Sequence, residues 1–586
     1  MTYGQYLKVQ ILNPLLLILS ITIIILSIGV NLKRDKTILY SRSFLLALLN
    51  TTYIASSSAY SIFLNKGVTL LGGLYFMSYV NIMFSIYFFI FCLMVGIITS
   101  FFPRKILLEE NSVKIKLLNN FIISKYKIIN AMNEQYKILE YTLIILFIII
   151  GGIFLMTSND LISLFLSIEL QSYGLYIISS IYRNSESSTS AGLTYFLLGS
   201  LSSCFILLSA SLLYANSGCT SLDSLYIISN ISDTYKDISQ NNIIYSIYLY
   251  NPYYIHFSLT ILSIGLLFKI SAAPFHFWSP DVYDAVPTVV TTFISVVAKI
   301  TILIFLLELI DHTYSSLYVS NFGWTSSLII SSLLSLVIGA VLGLTQTRIK
   351  RLLAYSSISH IGFILLVLSI KSVASTQAFL FYLIQYTISN LNAFIILIVI
   401  GYSLYYYVYK GDKLNKYEIY LKERNNSPIQ VINQLKGYFY INPFLSLSLS
   451  ITFFSFIGIP PLIGFFAKYM ALFASINNGY VFMSIIAIIT SVISGVYYLI
   501  VIKQIFFEKT DYTLNPALKN ISLSGILEKK DKQNKEMEIK FNINNVVLSS
   551  SLTILISILT LLILLFIFIF SELFNLMTIL SISYIY

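Results

Sequence analysis

The stretch 265-GLLFKISAAPFHFWSPDVYDAVP-287 decides how this chain is read. An apolar run from Ile255 to Phe268, interrupted once by His256, ends at Lys269, and Pro274 follows five residues later. His276, Trp278, Pro280 and Asp281 come next, and Pro287 opens another apolar run. In lipid, the backbone groups freed by Pro274 must find partners inside the protein. A lysine near the bilayer centre costs about 2.5–3.5 kcal/mol. A broken membrane helix with Lys269 beside the break therefore predicts an ion pathway.

Composition places that stretch in its class. Of 586 residues, 57% are hydrophobic and 10% charged, against about 25% charged in an ordinary soluble domain. Long apolar runs recur from end to end, so the fold expected is an all-α polytopic membrane protein. The net charge of +11 sits mostly in loops between apolar runs, where it sets membrane orientation, so no nucleic-acid partner is expected. Cys92, Cys204 and Cys219 are scattered without a CxxC pair, which leaves no iron–sulfur or zinc site to argue for. Neither GxGxxG nor GxxxxGK[ST] occurs, so a nucleotide cofactor is not expected. The abundance of Ile, Tyr, Phe, Asn and Lys is what an AT-rich gene gives, and points to an organellar or low-GC genome. Leu12–Val30 is long enough to span and reads as the first helix rather than a removed signal.

Fourteen spans are expected, at about 11–30, 43–64, 74–101, 141–157, 160–182, 189–215, 255–280 (broken), 287–310, 324–345, 349–370, 376–405, 443–474 (broken), 480–505 and 546–570. They group as three N-terminal helices in 1–102, a polar linker 103–140, five-helix units 141–310 and 324–505, a polar loop 506–545, and a last helix with its tail, 546–586. With this count the basic segments 31–42, 103–140, 346–351, 406–442 and 506–545 share one side, and the acidic loop 216–254 lies on the other. The excess of Lys and Arg puts the first side in the matrix or cytoplasm and both termini opposite. The two late loops read as insertions, with 525–540 a short solvated helix.

An internal repeat is visible in the chain itself. LQSYGLYII (170–178) aligns with ISHIGFILL (358–366), TYFLLGS (194–200) with FYLIQYT (381–387), and Pro274 with Pro461, at shifts of 188, 187 and 187. Five helices is an odd number, so the two units must be inverted in the membrane, each with one broken helix.

Four charges then fall inside hydrocarbon. Glu169 lies about 14 Å into its helix at 1.5 Å per residue, Lys299 sits at comparable depth, and Lys269 and Lys468 flank the two breaks. Unpaired, the four would cost on the order of 10 kcal/mol. A static Glu169–Lys269 pair is the bland alternative, and it leaves Lys299 and Lys468 without acidic partners. His360, among Tyr355, Ser356, Ser357 and Ser359, is either packing or a hydrated relay. Asp281 is expected to cap its helix rather than to pair with a loop base. Glu308, Asp311 and His312 are expected at a membrane edge with no function. Arg348 and Arg351 are expected to mark topology and meet anionic lipid headgroups such as cardiolipin.

LSIELQSYGLY (166–176), LLFKISAAPFHFWSPDVYDAVPT (266–288), VAKI (297–300), RIKRLLAYSSISHIGF (348–363) and GIPPLIGFFAKY (458–469) resemble the proton-translocating antiporter-like subunits of respiratory complex I. The resemblance covers roughly 140–505. It implies fourteen helices, no redox cofactor in this chain, and other membrane-arm subunits as partners. It also implies a place in the mitochondrial inner membrane, where the loop-charge reading puts the termini toward the intermembrane space. It carries function to Glu169, Lys269, Lys299 and Lys468. Many relatives have a sixth-span lysine in a context like MKYF; here the stretch is GLTYF and the residue is Thr194.

The mechanism expected is coupled titration along a wet path in the membrane plane. Glu169 holds protonated Lys269, separation makes the lysine a donor, and the proton passes Lys299 and His360 to Lys468. Nothing in the chain can oxidise or hydrolyse, so the energy must come from partners, by the resemblance from NADH:ubiquinone electron transfer. The alternatives are a stand-alone or Mrp-type cation/proton antiporter and a purely structural membrane subunit.

Overall fold

The computed structural model describes residues 49, 53, 68–99, 140–181, 185–228, 252–313, 323–404, 407–409, 429–510, 512–514 and 550–585. The expected spans 11–30 and 43–64, the linker 103–140 and the segment 525–540 lie outside the described residues, the isolated positions 49 and 53 aside.

What is described is nearly all helix. In chain order the helices are α1 (Tyr79–Thr99), α2 (Glu140–Met156), α3 (Leu161–Ser180), α4 (Glu186–Ser217), α5 (Pro252–Ile270), α6 (Trp278–Ala285) and α7 (Thr288–Thr313). There follow α8 (Thr325–Leu344), α9 (Ile349–Leu368), α10 (Val373–Leu404), α11 (Pro443–Ile457), α12 (Ile463–Asn477), α13 (Val481–Phe507), α14 (Ser550–Leu564) and α15 (Phe566–Ile585). Among the described residues eight helices are long and apolar enough to cross a membrane, or nine if the bent pair α14–α15 counts as one span. Two antiparallel ribbons accompany them: β1 (Val68–Leu70) with β2 (Tyr75–Met77), and β3 (Tyr407–Tyr409) with β4 (Tyr512–Leu514).

Local chemistry sets the helix ends. Asp160 caps α3 by accepting from the Ile162 amide at 3.1 Å, and Asn442 caps α11 just before Pro443. α4 stops at Gly218 and α11 at Gly458, both left-handed, where a side chain would be strained. Within the spans, Ser and Thr hydroxyls mostly return to carbonyls of their own helix, as Ser263 does to Thr260. They therefore add polarity without leaving a group unpaired in lipid.

Packing gives the bundle an axis. α7 is buried from Thr288 to Ile310, whereas α4 is largely exposed and forms an outer wall. α2 packs on α3, α3 on α4 and α4 on α5, and α7 closes back on α2. In the second half, α8 packs on α9, α9 on α10 and α10 on α11 and α12, while α13 closes back on α8. A π-helical turn at Phe293–Val297 interrupts α7. The Ser295 carbonyl there accepts the Tyr386 hydroxyl at 3.1 Å, so the irregularity is satisfied from α10.

The connections gather at two ends. At one, Arg348 pairs with Asp284, the Ile349 amide bonds the Gln430 carbonyl, and Lys436 meets Glu508 at 3.1 Å. At the other, the Phe76 amide bonds the Thr157 carbonyl, Asn159 donates to Asp223 at 2.7 Å, and Lys371 lies 3.7 Å from Asp311.

Several expectations are corrected here. The third span begins at Tyr79, because 74–77 turn into the β1–β2 ribbon, which is tied to the α2–α3 junction. The first broken helix ends at Ile270 and resumes only at Trp278. The last helix does not stop near 570: α14 bends by 80° into a second helix of 20 residues, α15. Phe566 and Phe570 of α15 pack on Phe381 and Phe466, and that aromatic contact continues the helix past 570. Asp281 does not cap α6, which has no side-chain cap; it pairs with Arg351 at 2.6 Å. Arg348 and Arg351 are accordingly engaged by Asp284 and Asp281, with Arg348 half-exposed beside them.

Candidate functional site

The break after α5 is built from its own sequence. α5 ends at Ile270, Ser271 takes φ +66, and the Ala273–Pro274 bond is cis. The Phe268 carbonyl, at the helix end, accepts both the Ser271 amide at 3.2 Å and the Trp278 indole N–H at 3.0 Å. Lys269, the penultimate residue of α5, donates to the Tyr176 hydroxyl on α3 at 2.9 Å and lies 5.4 Å from the centre of that ring. Tyr176 is held edge-on by Tyr195, which stacks on Trp278 at 4.6 Å.

Glu169 is half-buried on α3 and interacts electrostatically with Lys269, Tyr173 and Tyr176. Among the described residues no ion pair joins it to Lys269. Its Oε1 is buried without a hydrogen-bond partner. The expected direct Glu169–Lys269 contact is thus replaced by a tyrosine that takes the lysine. Thr194 is exposed on α4 and bonds its own helix at Ala191, so the sixth-span position faces away, and its neighbour Tyr195 is the residue that reaches the site.

Lys299, 1% exposed, sits at the bundle axis. It donates to Ser271 in the first break at 2.9 Å and to Ser357 on α9 at 3.4 Å, and lies 5.5 Å from the Tyr283 ring centre. One ammonium thus touches the first broken helix and the second half of the chain. His360 bonds the Tyr382 hydroxyl through Nδ1 at 2.9 Å and packs against Phe456 and Tyr386. Tyr382 stacks on Phe363, and the ammonium of Lys468 lies 5.5 Å from the centre of the Phe363 ring. Lys468 donates to the Ile457 carbonyl, the last of α11, at 3.0 Å. The two lysines beside the breaks are therefore held differently, one by a side chain of another helix and one by the backbone of its own broken helix.

The structure brings Glu169 with Lys269, Lys299 with Ser357, and His360 with Lys468 into neighbouring clusters. Sequence reasoning missed the hydroxyls of Tyr176, Ser271, Tyr382 and Tyr386 and the ring of Tyr283 beside Lys299. Tyr176 and Tyr382 stood in the repeat segments already aligned. Tyrosine among apolar residues reads as packing until a neighbouring helix is placed against it. As an arrangement, lysines and a histidine interleaved with hydroxyls in apolar helices can hold and pass protons, while bound metal is not suggested: among the described residues no group of three His, Cys, Asp or Glu could hold an ion.

Residues 158–494 match the family described as NADH:quinone oxidoreductase/Mrp antiporter, TM. The chain belongs to this family. It is 43% identical over 493 residues to NADH-ubiquinone oxidoreductase chain 2 of Rhizopus oryzae, covering 84% of this chain and 86% of the relative. It is 33% identical to the chain 2 of Arabidopsis thaliana, covering 67% of this chain and 70% of that one. In fold the family member resembles a chain of respiratory complex I from Thermus thermophilus with bound aureothin. The TM-score is 0.63 at 22% identity, covering 96% of this chain and 98% of that one. It also resembles a chain of the Mrp complex from Dietzia sp. DQ12-45-1b, with TM-score 0.70 at 16% identity, covering 100% and 98%.

Proposed function

We propose that this chain is a core membrane-arm subunit of respiratory complex I, in the mitochondrial inner membrane, that translocates protons. NADH:ubiquinone electron transfer in partner subunits drives it, and its partners are the other membrane subunits of the complex. The observation that carries this reading is the row of titratable nitrogens set on hydroxyls and carbonyls inside the helices: Lys269 on Tyr176, Lys299 on Ser271 and Ser357, His360 on Tyr382, Lys468 on Ile457. Glu169, Lys269, Lys299, His360 and Lys468 are the proton-handling residues of the proposal. Moving one charge against the membrane potential takes about 2.3 kcal/mol per 100 mV, and nothing in this chain supplies that energy.

Fourteen spans with two inverted five-helix repeats belong to the same proposal. In its support, α3 and α9 both have 20 residues and are offset by 188, and α4 and α10 both have 32 and are offset by 187. A Cβ on Gly151 would meet the Gln171 amide nitrogen at 2.8 Å, and one on Gly339, 188 residues later, the Ser359 amide nitrogen at 2.7 Å. The same close approach of backbones thus recurs in each unit. Both termini are assigned to the intermembrane-space side from loop charge, and Arg348 and Arg351 would lie on the matrix side. Protons are the transported species, and anionic lipids such as cardiolipin are proposed around the rim.

The test is Glu169→Gln in the assembled complex, reading NADH:ubiquinone turnover and proton translocation in inner-membrane vesicles. Loss of both together is expected, and normal pumping overturns the central role of Glu169. The Mrp-type antiporter reading rests on the shared fold and predicts Na⁺ or K⁺ dependence of transport; the 43% identity to a complex I chain favours protons.

A further inference from the structure

A second buried carboxylate lies outside this row. Glu308, on α7 nine residues beyond Lys299, is 7% exposed, one turn before the helix becomes partly exposed at Asp311. Its Oε1 accepts from the Asn81 side-chain amide of α1 at 3.3 Å, and its Oε2 is buried with no partner. Asn81 is itself fixed, donating to the Phe76 carbonyl at 3.2 Å. Among the described residues no base forms an ion pair with Glu308.

The groups around it are charged but already engaged. Asp311, one turn further along α7, has Lys371 at 3.7 Å through Oδ1 and leaves Oδ2 buried and unpartnered. His312 lies 3.8 Å from Asp223, which also accepts from Asn159 at 2.7 Å. Seven residues inward on the Glu308 face of α7, Thr301 and Gln171 are bonded to each other at 3.0 and 3.2 Å. This is a polar step about two turns from Glu308. Polar groups thus stand at two levels of this face, at Thr301–Gln171, two residues past Glu169 on α3, and at Glu308, toward the end of the molecule that carries Asp160, Asp223 and Lys371.

We propose that Glu308 is a proton-carrying residue, the last buried station before water at the Asp223–Lys371 end of the bundle. A proton arriving along the Thr301–Gln171 face binds Oε2, forming an O–H bond and neutralising the carboxylate. On release that bond breaks, the electron pair stays on Oε2, and the proton passes by Asp311 to bulk water. A carboxylate with one oxygen held by Asn81 and the other bare is poised for this exchange. Asn81 needs only an acceptor, which a glutamine would supply equally well, so the pinning of α1 to α7 does not require a group that ionises. The proposal rests on the proton-translocation reading and adds an outlet to it.

The test uses the assembled complex in inner-membrane vesicles with three variants: Glu308→Gln, Glu308→Asp and, as the separate check of the translocation reading, Glu169→Gln. Glu308→Gln keeps the bond to Asn81. It is expected to assemble, to lose most of its turnover and proton translocation, and to change the pH profile of turnover. Glu308→Asp, which keeps a carboxyl, is expected to recover part of both. Wild-type pumping with an unmoved pH profile in Glu308→Gln overturns the proposal and leaves Glu308 as an acceptor for Asn81. As a measurement that needs no variant, the wild-type complex is treated with a hydrophobic carbodiimide, which adds to protonated buried carboxyls, and the adducts are mapped by mass spectrometry. An adduct at Glu308 is expected, and its absence overturns the proposal whether or not the variants assemble. Normal pumping in Glu169→Gln would sink the main row, while the Glu308 result stands or falls on its own measurements.

Discussion

Lys269 gives its proton-bearing nitrogen to the hydroxyl of Tyr176, 2.9 Å away, and not to the carboxylate of Glu169. Glu169 is within electrostatic reach of both the lysine and this tyrosine, and the tyrosine alone takes the lysine's hydrogen bond. That makes the tyrosine the element on which any switching of the pair depends. Tyr176→Phe keeps the ring packed against Tyr195 and removes only the acceptor. A hydrogen bond to a charged group is worth about 1.5–3 kcal/mol. Turnover and pumping in the assembled complex are therefore expected to fall by roughly tenfold, with the complex stable. Unchanged rates would mean that water replaces the hydroxyl without cost.

Gly199 tests the same residue from behind. A Cβ at this position would lie 1.9 Å from the Tyr176 hydroxyl oxygen and 2.5 Å from its Cζ. Gly199→Ala must therefore push the ring off its place, and with it the partner of Lys269. Overpacking of this kind costs about 1–3 kcal/mol. Reduced turnover is expected to accompany a lower melting temperature of the complex, and Tyr176→Phe in the same chain should relieve part of the thermal defect by removing the clashing oxygen.

These two residues mark the limit of what the sequence made legible. Charges in apolar helices stand out one at a time, so Glu169, Lys269, Lys299 and Lys468 could be picked out from cost alone. The repeat placed Ser357 opposite Glu169 but not beside Lys299, because that contact forms between halves of the chain. Asp281 was misread as a cap because its partner Arg351 is 70 residues away, on α9. The bend into α15 was missed for a related reason: hydropathy registers length, and the aromatic contacts that turn the helix are tertiary.

At the end of the bundle opposite Glu308, two aspartates on one short helix should differ in worth. Asp284 is 6% exposed at its side chain and meets both Arg348 and Arg351. Asp281 is 68% exposed and meets Arg351 alone. Exposed pairs contribute about 0–1 kcal/mol, whereas the Asp284 carboxylate is buried and ties two arginines of another helix at once, so its loss removes both contacts. Asp284→Asn is expected to lower the amount and thermal stability of the assembled complex, and Asp281→Asn to leave both near wild type. Equal effects would show that the Asp284 carboxylate is hydrated in the assembly.

Sidedness can be read from residues whose backbone is described. On the loop-charge reading, a cysteine at Gln430 labels from the matrix side and one at Ser372 from the other. Gln430 bonds Ile349 beside Arg348, and Ser372 bonds Asn478 near Lys371, so each position reports its own end of the bundle. Labelling of both from one side would break the span alternation on which the inverted repeat depends.

Lys468 carries the sharpest prediction, because its partner is a carbonyl. The ammonium donates to Ile457, the last residue of α11, where the helix has broken and the C-terminal carbonyls have no helical donor. The end of a helix carries a partial negative charge, so a cation is held there without an acid. Lys468→Met removes both the charge and the donor, and is expected to loosen the break and abolish pumping. Lys468→Arg restores a cation and donors to the same carbonyl, so assembly should return. Guanidinium does not deprotonate in a protein, so pumping should stay lost if Lys468 must release a proton. The informative result is the separation of the two readouts in one variant: assembly near wild type with translocation abolished. Wild-type pumping by Lys468→Arg would reduce Lys468 to a fixed charge closing a broken helix, and the row of proton carriers would then end at His360.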